Sequence, residues 1–301
     1  MNNANRELHD PSARVYRHQA MATWFEIHIV DDDADFSRRA ATEAFRLLDH
    51  LEYLLSRYRE ESEVSIISRL QPGEVFAAND EVMACLSLAL QMSQRTMGAF
   101  DPALGREIDR HKGIKSTHAT KRGRLILDPV TGRISCEEAS VTLDLGAIGK
   151  GFALDRMAEL LEEWGVGQAL LVAGGSSVRT LTTNRSSVPY WSNSLSDGGK
   201  IWLKNAALGC SGVAVQGAHI INPVTRKPAD CPDRVWVVAK TAAEADAFST
   251  AFMILSKAEV LEIAGRENLS VACQPRGKKV VQWLIPLDEF LHKAYFEKSI
   301  N

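Results

Sequence analysis

Residues 143–155 read LDLGAIGKGFALD, and this stretch decides most of what the sequence predicts about the fold. An apolar segment of the kind found in strands runs into a turn with three glycines, and a helical pattern begins near Phe152. The first N–H groups of a helix attract anions, and Lys150 adds a positive charge that suits a phosphate. The stretch is not a P-loop, because Gly151 follows Lys150 where a P-loop has serine or threonine. Taken alone, the same residues also fit a tight turn with a solvated lysine.

The rest of the chain mixes helices and strands without regular alternation, which predicts an α+β fold. Apolar residues recur at helical spacing over 36–55, and a second helix should begin at Asn79 or Asp80 and end at Gly98. Further helices are expected at 152–164 and from 241 onward. We predict strands at 24–30, 124–128, 133–136, 140–144, 168–173, 201–204, 219–221, 235–239, 269–273 and 280–285. We expect a flexible segment at 1–18 and a single domain of two intimate halves at 19–301.

Composition places the 301-residue chain among ordinary globular proteins, with 45% hydrophobic and 24% charged residues. A net charge of -3 gives no bulk attraction for nucleic acid or an anionic membrane, so an anionic ligand must be held locally. No apolar run approaches the ~20 residues that cross a bilayer. The first residues lack the pattern of a signal peptide, so we expect a cytoplasmic protein without a membrane segment.

A helix should begin in residues 241–252, TAAEADAFSTAF. Thr241 and Glu244 have the spacing of a capping box. Asp246 and Thr250 are one helical turn apart, with Ser249 between them, so their oxygens could bind one hard cation. The alternative is an ordinary amphipathic helix whose polar face meets water.

A lone histidine begins the segment HIINPVT at residues 219–225. His219 lies on a short apolar strand that ends at an Asn-Pro turn. Because imidazole titrates near neutral pH, His219 is a candidate general base. The alternative is a structural histidine with satisfied hydrogen bonds.

Taken together, these motifs and their order resemble the FAD:protein FMN transferase family, the ApbE-like proteins. That family has segments of the type DLGGIAKGYAVD, a Gly-Gly turn, HIIDPRTG and EADALAT; this chain has DLGAIGKGFALD, AGG, HIINPVTR and EADAFST. Upstream, MAT at 21–23, SRY followed by ESEVS at 56–65, and GAFDP at 98–102 resemble the family's MGT, serine-aromatic-acidic and GxFDP segments. The likeness spans roughly residues 21–283.

The resemblance implies an ApbE-like α+β fold, with mixed sheets, flanking helices and an FAD cleft between two halves. The family's FAD contacts fall on Met21, Tyr58, Ala99, Phe100, Asp101, Gly146, Lys150, Phe152 and Ile220. For Met21 and Phe100 the alternative is plain core packing. The family's magnesium site falls on Asp246 and Thr250, with Ser249 nearby and the backbone carbonyl of Gly149.

The activity implied by this resemblance is Mg²⁺-dependent transfer of FMN from FAD to a Thr or Ser hydroxyl of a partner protein, with release of AMP. In this scheme Lys150 and Mg²⁺ neutralise phosphate charge, and His219 accepts the hydroxyl proton. Two alternatives stay open: an FAD pyrophosphatase that releases FMN and AMP, and a non-catalytic FAD-binding protein. The chain departs from the family pattern at Ala22, Ser176 and Asn222, where the family has glycine, aspartate and aspartate.

Overall fold

An antiparallel sheet of eight strands forms the centre of the molecule. The computed structural model describes residues 13–113, 123–182, 191–194, 200–213, 220–286 and 294–297. Its strands, in spatial order across the sheet, are β1 (Arg14–Ala20), β2 (Thr23–Ile29), β6 (Gln168–Ala173), β7 (Ser177–Thr182), β10 (Ala207–Gly212), β11 (Arg234–Ala239), β12 (Ser270–Gln274) and β13 (Gln282–Ile285). There are two further sheets of three strands each in the described residues. One consists of β3 (Val75–Ala77), β5 (Arg133–Glu137) and β4 (Arg124–Asp128). The other consists of β14 (Ala294–Glu297), β9 (Lys200–Leu203) and β8 (Trp191–Ser194).

Seven helices lie among these strands in the described part of the chain. They are α1 (Ala34–Leu55), α2 (Glu63–Arg69), α3 (Asp80–Arg95), α4 (Gly105–His111), α5 (Gly149–Glu163), α6 (Ala242–Phe252) and α7 (Lys257–Arg266). The structure thus confirms the predicted α+β class. No helix in the described ranges is both long enough and apolar enough to span a bilayer.

Both faces of the central sheet are buried. On β11, Val235 and Val237 point into the main core with the helices, while Trp236 and Val238 point into a second core beneath Ile201 and Leu203 of β9. Because successive side chains of a strand point to opposite faces, β11 is apolar at nearly every position. Helix α5 packs on β6 and β7, and α6 packs on β10 and β11. The start of α5 and the whole of α6 therefore lie against the middle of the sheet.

Most predicted elements are present, with shifted ends. Helix α3 has Asn79 as its N-cap but ends at Arg95, because Met97 adopts a left-handed φ of 54° and the N–H of Gly98 bonds back to the carbonyl of Ser93. Strand β1 pairs with β2 along its whole length, so residues 14–18 belong to the sheet rather than to the N-terminal segment expected at 1–18.

Two predicted strands are wrong as stated. Residues 140–145 belong to no strand, and the carbonyl of Thr142 and the N–H of Asp144 bond to Gly105 and Pro102 in a loop instead. In the segment predicted at 219–221, His219 lies outside the described residues, and Ile221 makes only an isolated bridge to Pro228. In each case the apolar pattern reflects burial rather than a sheet ladder.

Candidate functional site

The carboxylate of Asp246 is buried between α5, α6 and β7. It accepts a 2.9 Å hydrogen bond from the N–H of Gly151, and the Ser177 hydroxyl lies 2.7 and 2.9 Å from its two oxygens. Burial raises the pKa of Asp246 from 3.8 to about 6, against the opposing effects of the Lys150 charge and of these hydrogen bonds. Asp246 is 5% exposed and Ser249 is fully buried, so the amphipathic helix with a solvated polar face is excluded.

Three hydroxyl groups meet one turn further along α6. The Ser211 oxygen of β10 lies 2.9 Å from that of Ser249 and 2.8 Å from that of Thr250. Ser249 also donates to the carbonyl of Asp246, at 2.9 Å. This oxygen-only donor set fits a hard cation such as Mg²⁺ rather than a metal that prefers nitrogen or sulfur. Within the described ranges, no group of three or more His, Cys, Asp or Glu side chains is arranged to hold a metal ion.

The glycine-rich turn places Lys150 in the first turn of α5. The helix begins at Gly149 after the turn at 146–148, and Lys150 Nζ lies 3.4 Å from the carbonyl of Gly146. The N–H of Gly151 donates to Asp246, so one of the helix N-terminal donors expected to attract a free anion binds a carboxylate of the protein itself. Gly146 is exposed, and its N–H donates to Asp144 at 2.8 Å.

Two glycines allow α6 to approach its neighbours closely. A Cβ atom at Gly151 would lie 2.2 Å from the carbonyl oxygen of Ala242, and one at Gly209 would lie 2.3 Å from the backbone of Ala245. Both distances are too short for any side chain. Glycine at these positions is therefore required for α6 to lie against α5 and β10.

The predicted FAD contacts separate into a buried group and an exposed one. Five of them share the main core: Met21, Ala99, Phe100, Phe152 and Ile220. Phe100 is only 3% exposed, so core packing already accounts for its ring. Tyr58 is 71% exposed, and its ring is flanked by the cations of Arg57 and Lys112, at 5.5 and 6.0 Å.

Asp101 lies on a cleft between α4 and the turn at 223–226. The cleft is lined by Arg106, Arg110 and Arg226 together with Glu107. Asp101 itself accepts the N–H of Ala103 at 2.9 Å. Three arginines beside two acidic side chains give this cleft a net positive lining.

Arg57 is a residue of this region that the sequence did not reveal. Its guanidinium forms ion pairs with Asp144 and, at 2.7 Å, with Asp109, and it donates to the carbonyl of Gly105 at 3.2 Å. Asp144 in turn binds the N–H of Gly146. Arg57 thus links Tyr58 to the glycine-rich turn. Its partner Asp144 is 87 residues away in the chain, so no local pattern could indicate the contact.

The sequence also gave no indication that Ser177 and Ser211 belong to the site. Both lie on central strands, where a serine has no local pattern that distinguishes it from a packing residue. The only signal for Ser177 is its position two residues after the Gly-Gly turn.

The structure explains one departure from the family pattern and shows the surroundings of another. The Asn222 side-chain oxygen accepts the N–H groups of Val224 and Thr225, at 2.9 and 3.0 Å, a turn that aspartate would form in the same way. The Ser176 oxygen lies 3.2 Å from that of Ser177, which places a neutral hydroxyl next to the partner of Asp246.

Known proteins share this sequence pattern and this fold. The sequence model of the ApbE family matches residues 21–273. The FAD:protein FMN transferase of Salmonella typhimurium is 24% identical over 309 residues, covering 92% of this chain and 88% of that protein. The enzyme of the same description from Treponema pallidum is 28% identical over 264 residues, covering 72% and 71%.

Two solved structures establish the same architecture. The flavinyl transferase ApbE of Pseudomonas stutzeri, in its apo form, superposes with a TM-score of 0.77 at 22% identity, covering 90% of this chain and 95% of that one. The flavin transferase ApbE of Vibrio cholerae gives a TM-score of 0.74 at 21% identity, covering 90% and 96%. The family match extends over most of the chain and includes the glycine-rich turn and the α6 motif. The protein therefore belongs to the ApbE family.

Proposed function

We propose that this chain is a Mg²⁺-dependent FAD:protein FMN transferase that attaches FMN to a Thr or Ser hydroxyl of a partner protein. Two observations carry the proposal: the buried Asp246 carboxylate lies close enough to Lys150 for their charges to interact, and the hydroxyls of Ser249 and Thr250 meet at Ser211 one turn further along α6. The names of the curated relatives, FAD:protein FMN transferase, support the same activity.

The reaction replaces one phosphorus–oxygen bond with another. The acceptor hydroxyl attacks the phosphorus on the FMN side of the FAD pyrophosphate, the bond to the bridging oxygen breaks, and AMP leaves with that oxygen. His219 takes the hydroxyl proton, and such general-base assistance is worth about 10²–10⁴-fold in rate. In this proposal the ammonium group of Lys150 stabilises negative charge on the phosphates.

The metal would be held by the side-chain oxygens of Asp246, Ser249 and Thr250 and by the backbone carbonyl of Gly149. Bound Mg²⁺ supplies a Lewis acid that neutralises charge on phosphoryl oxygens. The Gly151 N–H and the Ser177 hydroxyl fix the Asp246 carboxylate in place. Their role is to orient a ligand that would otherwise repack in a buried site.

The substrate would extend from this cluster across the main core. The family resemblance puts FAD against Met21, Ala99, Phe100, Phe152 and Ile220, of which only Met21 is partly exposed in this structure, and Tyr58 offers an exposed ring for stacking. In this proposal Gly146 and Lys150 bind the pyrophosphate, and Asp101 would contact FAD from the arginine-lined cleft.

The activity is tested by incubating the purified protein with FAD, MgCl₂ and an acceptor protein that a curated relative flavinylates. We expect three results: flavin fluorescence that stays with the denatured acceptor, an increase in acceptor mass equal to an FMN adduct, and release of AMP. EDTA should abolish all three. His219→Ala should lower the rate about 10²-fold or more while FAD still binds. Free FMN without an adduct would indicate a pyrophosphatase instead, and intact FAD would indicate a binding protein.

The metal ligands are tested by a matched pair at Thr250. Thr250→Val removes the oxygen at nearly constant volume, whereas Thr250→Ser keeps it. The valine variant should need about tenfold or more Mg²⁺ for half-maximal transfer, and the serine variant should stay close to the parent protein. Equal Mg²⁺ requirements for the two variants would exclude Thr250 as a ligand.

A further inference from the structure

Helices α5 and α6 exchange carboxylate hydrogen bonds: a carboxylate in the second turn of each accepts N–H groups in the first turn of the other. Asp246 of α6 accepts the N–H of Gly151 in α5. In return, Asp155 of α5 accepts the N–H groups of Ala242 and Ala243 in α6, each at 2.8 Å. Each helix therefore satisfies N-terminal donors of the other, which is a task that a local capping residue usually performs.

Strand β7 binds both carboxylates from the same face. Ser177 contacts Asp246, and Arg179 Nε lies 3.4 Å from Asp155. Residues two apart on a strand point to the same side, so one face of β7 contacts both carboxylates. The two carboxylates thus connect α5, α6 and the central sheet at the base of the candidate metal site.

Asp155 is the member of this exchange that has no part in the proposed chemistry. It lies two helical turns before the end of α5 (Gly149–Glu163), and its side chain is 13% exposed. Its two bonds fix the start of α6, and Asp246 and Thr250 follow on that same helix. The local cap at this end is a single side-chain bond, in which the Thr241 hydroxyl oxygen accepts the N–H of Glu244 at 3.3 Å.

We propose that Asp155 is a positioning residue that sets the Mg²⁺ affinity of the site by fixing α6 against α5. The proposal rests on the proposed function, since it concerns the ligands on α6. Mg²⁺ demands near-ideal octahedral geometry, so a small displacement of Asp246 or Thr250 relative to Gly149 weakens binding. Asp155 acts only through this geometry and touches neither the phosphates nor the acceptor.

A matched pair of variants tests the proposal. Asp155→Asn removes the charge and leaves one acceptor oxygen for two N–H groups. The control is Glu244→Gln, which also alters a carboxylate in the first turn of α6; that carboxylate binds Arg95 of α3 at 2.6 Å, away from α5. Both variants should lower thermal stability, but they should differ in their response to the metal.

The first readout is independent of activity: the Mg²⁺ concentration that half-maximally raises the melting temperature in the presence of FAD. In Asp155→Asn it should increase about tenfold, as should the Mg²⁺ requirement of transfer, while FAD binding without metal stays within about twofold. In Glu244→Gln both Mg²⁺ values should stay at those of the parent protein. A merely structural role would lower the melting temperature and leave the Mg²⁺ dependence unchanged.

Two results would overturn the proposal: an unchanged Mg²⁺ dependence in Asp155→Asn, or an equal shift in Glu244→Gln, which would mean general loosening of α6. If Asp155→Asn does not fold, Arg179→Gln takes its place, because it keeps the carboxylate but removes its contact with β7. This variant should shift the Mg²⁺ dependence in the same direction. An unchanged Mg²⁺ dependence would count against the proposal. Failure of the proposed function is distinguishable, because the parent protein would then transfer no FMN at any Mg²⁺ concentration.

Discussion

Met21 and Ala22 both adopt left-handed conformations, with φ values of 48° and 57°, at the tip of the β1–β2 hairpin. Ala20 pairs with Thr23, so these two residues form the whole loop. Two-residue hairpin loops of this type need positive φ at both positions, which favours glycine or asparagine. The turn therefore gives a physical reason for the glycine that the family has in place of Ala22.

Replacing Ala22 with glycine should stabilise the protein. A left-handed conformation costs an ordinary residue about 1–2 kcal/mol, and glycine avoids this at some loss of unfolded-state entropy, so we expect a net gain of about 0.5–1 kcal/mol. Urea unfolding measures the change. Ala77→Gly, at an exposed position in β3, is the control and should lose a similar amount. Equal losses in both variants would contradict the strain at Ala22.

Helix α6 shows why an element can be located from its sequence while its environment is not. Its start at Thr241 was predicted, but the capping box is only half formed, because Glu244 binds Arg95 instead of returning to the cap. Its polar residues were compatible with a solvated face, yet the helix is surrounded by α5, α3 and three strands. The partners that bury Asp246 and Ser249 come from distant parts of the chain.

Close contact between α5 and α6 should make Gly151 intolerant of any side chain. In Gly151→Ala the new Cβ would lie 2.2 Å from backbone, so the helices must separate; we expect a loss of about 1–3 kcal/mol and a higher Mg²⁺ requirement. Gly265→Ala in α7 is the matched control, with no atom within 4 Å of the new Cβ. It should gain up to about 1 kcal/mol from helix propensity. Denaturant unfolding measures the change in unfolding free energy of both variants. If Gly151→Ala leaves that free energy unchanged, α5 and α6 do not pack as closely as described.

The stability of the whole molecule should depend on pH through Asp155. Burial raises its pKa from 3.8 to about 7, although the N–H groups of Ala242 and Ala243 and the charge of Arg179 oppose the change. The folded state then binds a proton more tightly than the unfolded state. The contribution of Asp155 to stability is therefore full below about pH 4 and is lost as pH rises towards 7.

This pH dependence is measured as the free energy of unfolding in urea with EDTA present, between pH 4.5 and 6.5. A difference of one bound proton changes that free energy by about 1.4 kcal/mol per pH unit. The parent protein should lose stability more steeply than Asp155→Asn over this window, by up to that slope. Parallel curves for the two proteins would show that Asp155 is ionised throughout.

What the sequence by itself determined was local: the α+β class, the positions of α1, α5 and α6, and the motifs that resemble one family. Helical periodicity, glycine turns and caps depend on residues within about one turn of each other, so a linear sequence displays them. The residue pattern itself offered Asp246, Thr250 and Lys150 as candidates and the resemblance assigned them roles; the structure places Asp246 and Lys150 close enough for their charges to interact.

Only the tertiary structure decided which side chains surround those candidates. Ser177 is 69 residues from Asp246, and Asp155 is 87 residues from Ala242. Such contacts exist because α5 and α6 pack against the same strands, and that packing depends on the burial of the whole core and on the close approach at Gly151 and Gly209. No residue's immediate neighbours in the chain encode it.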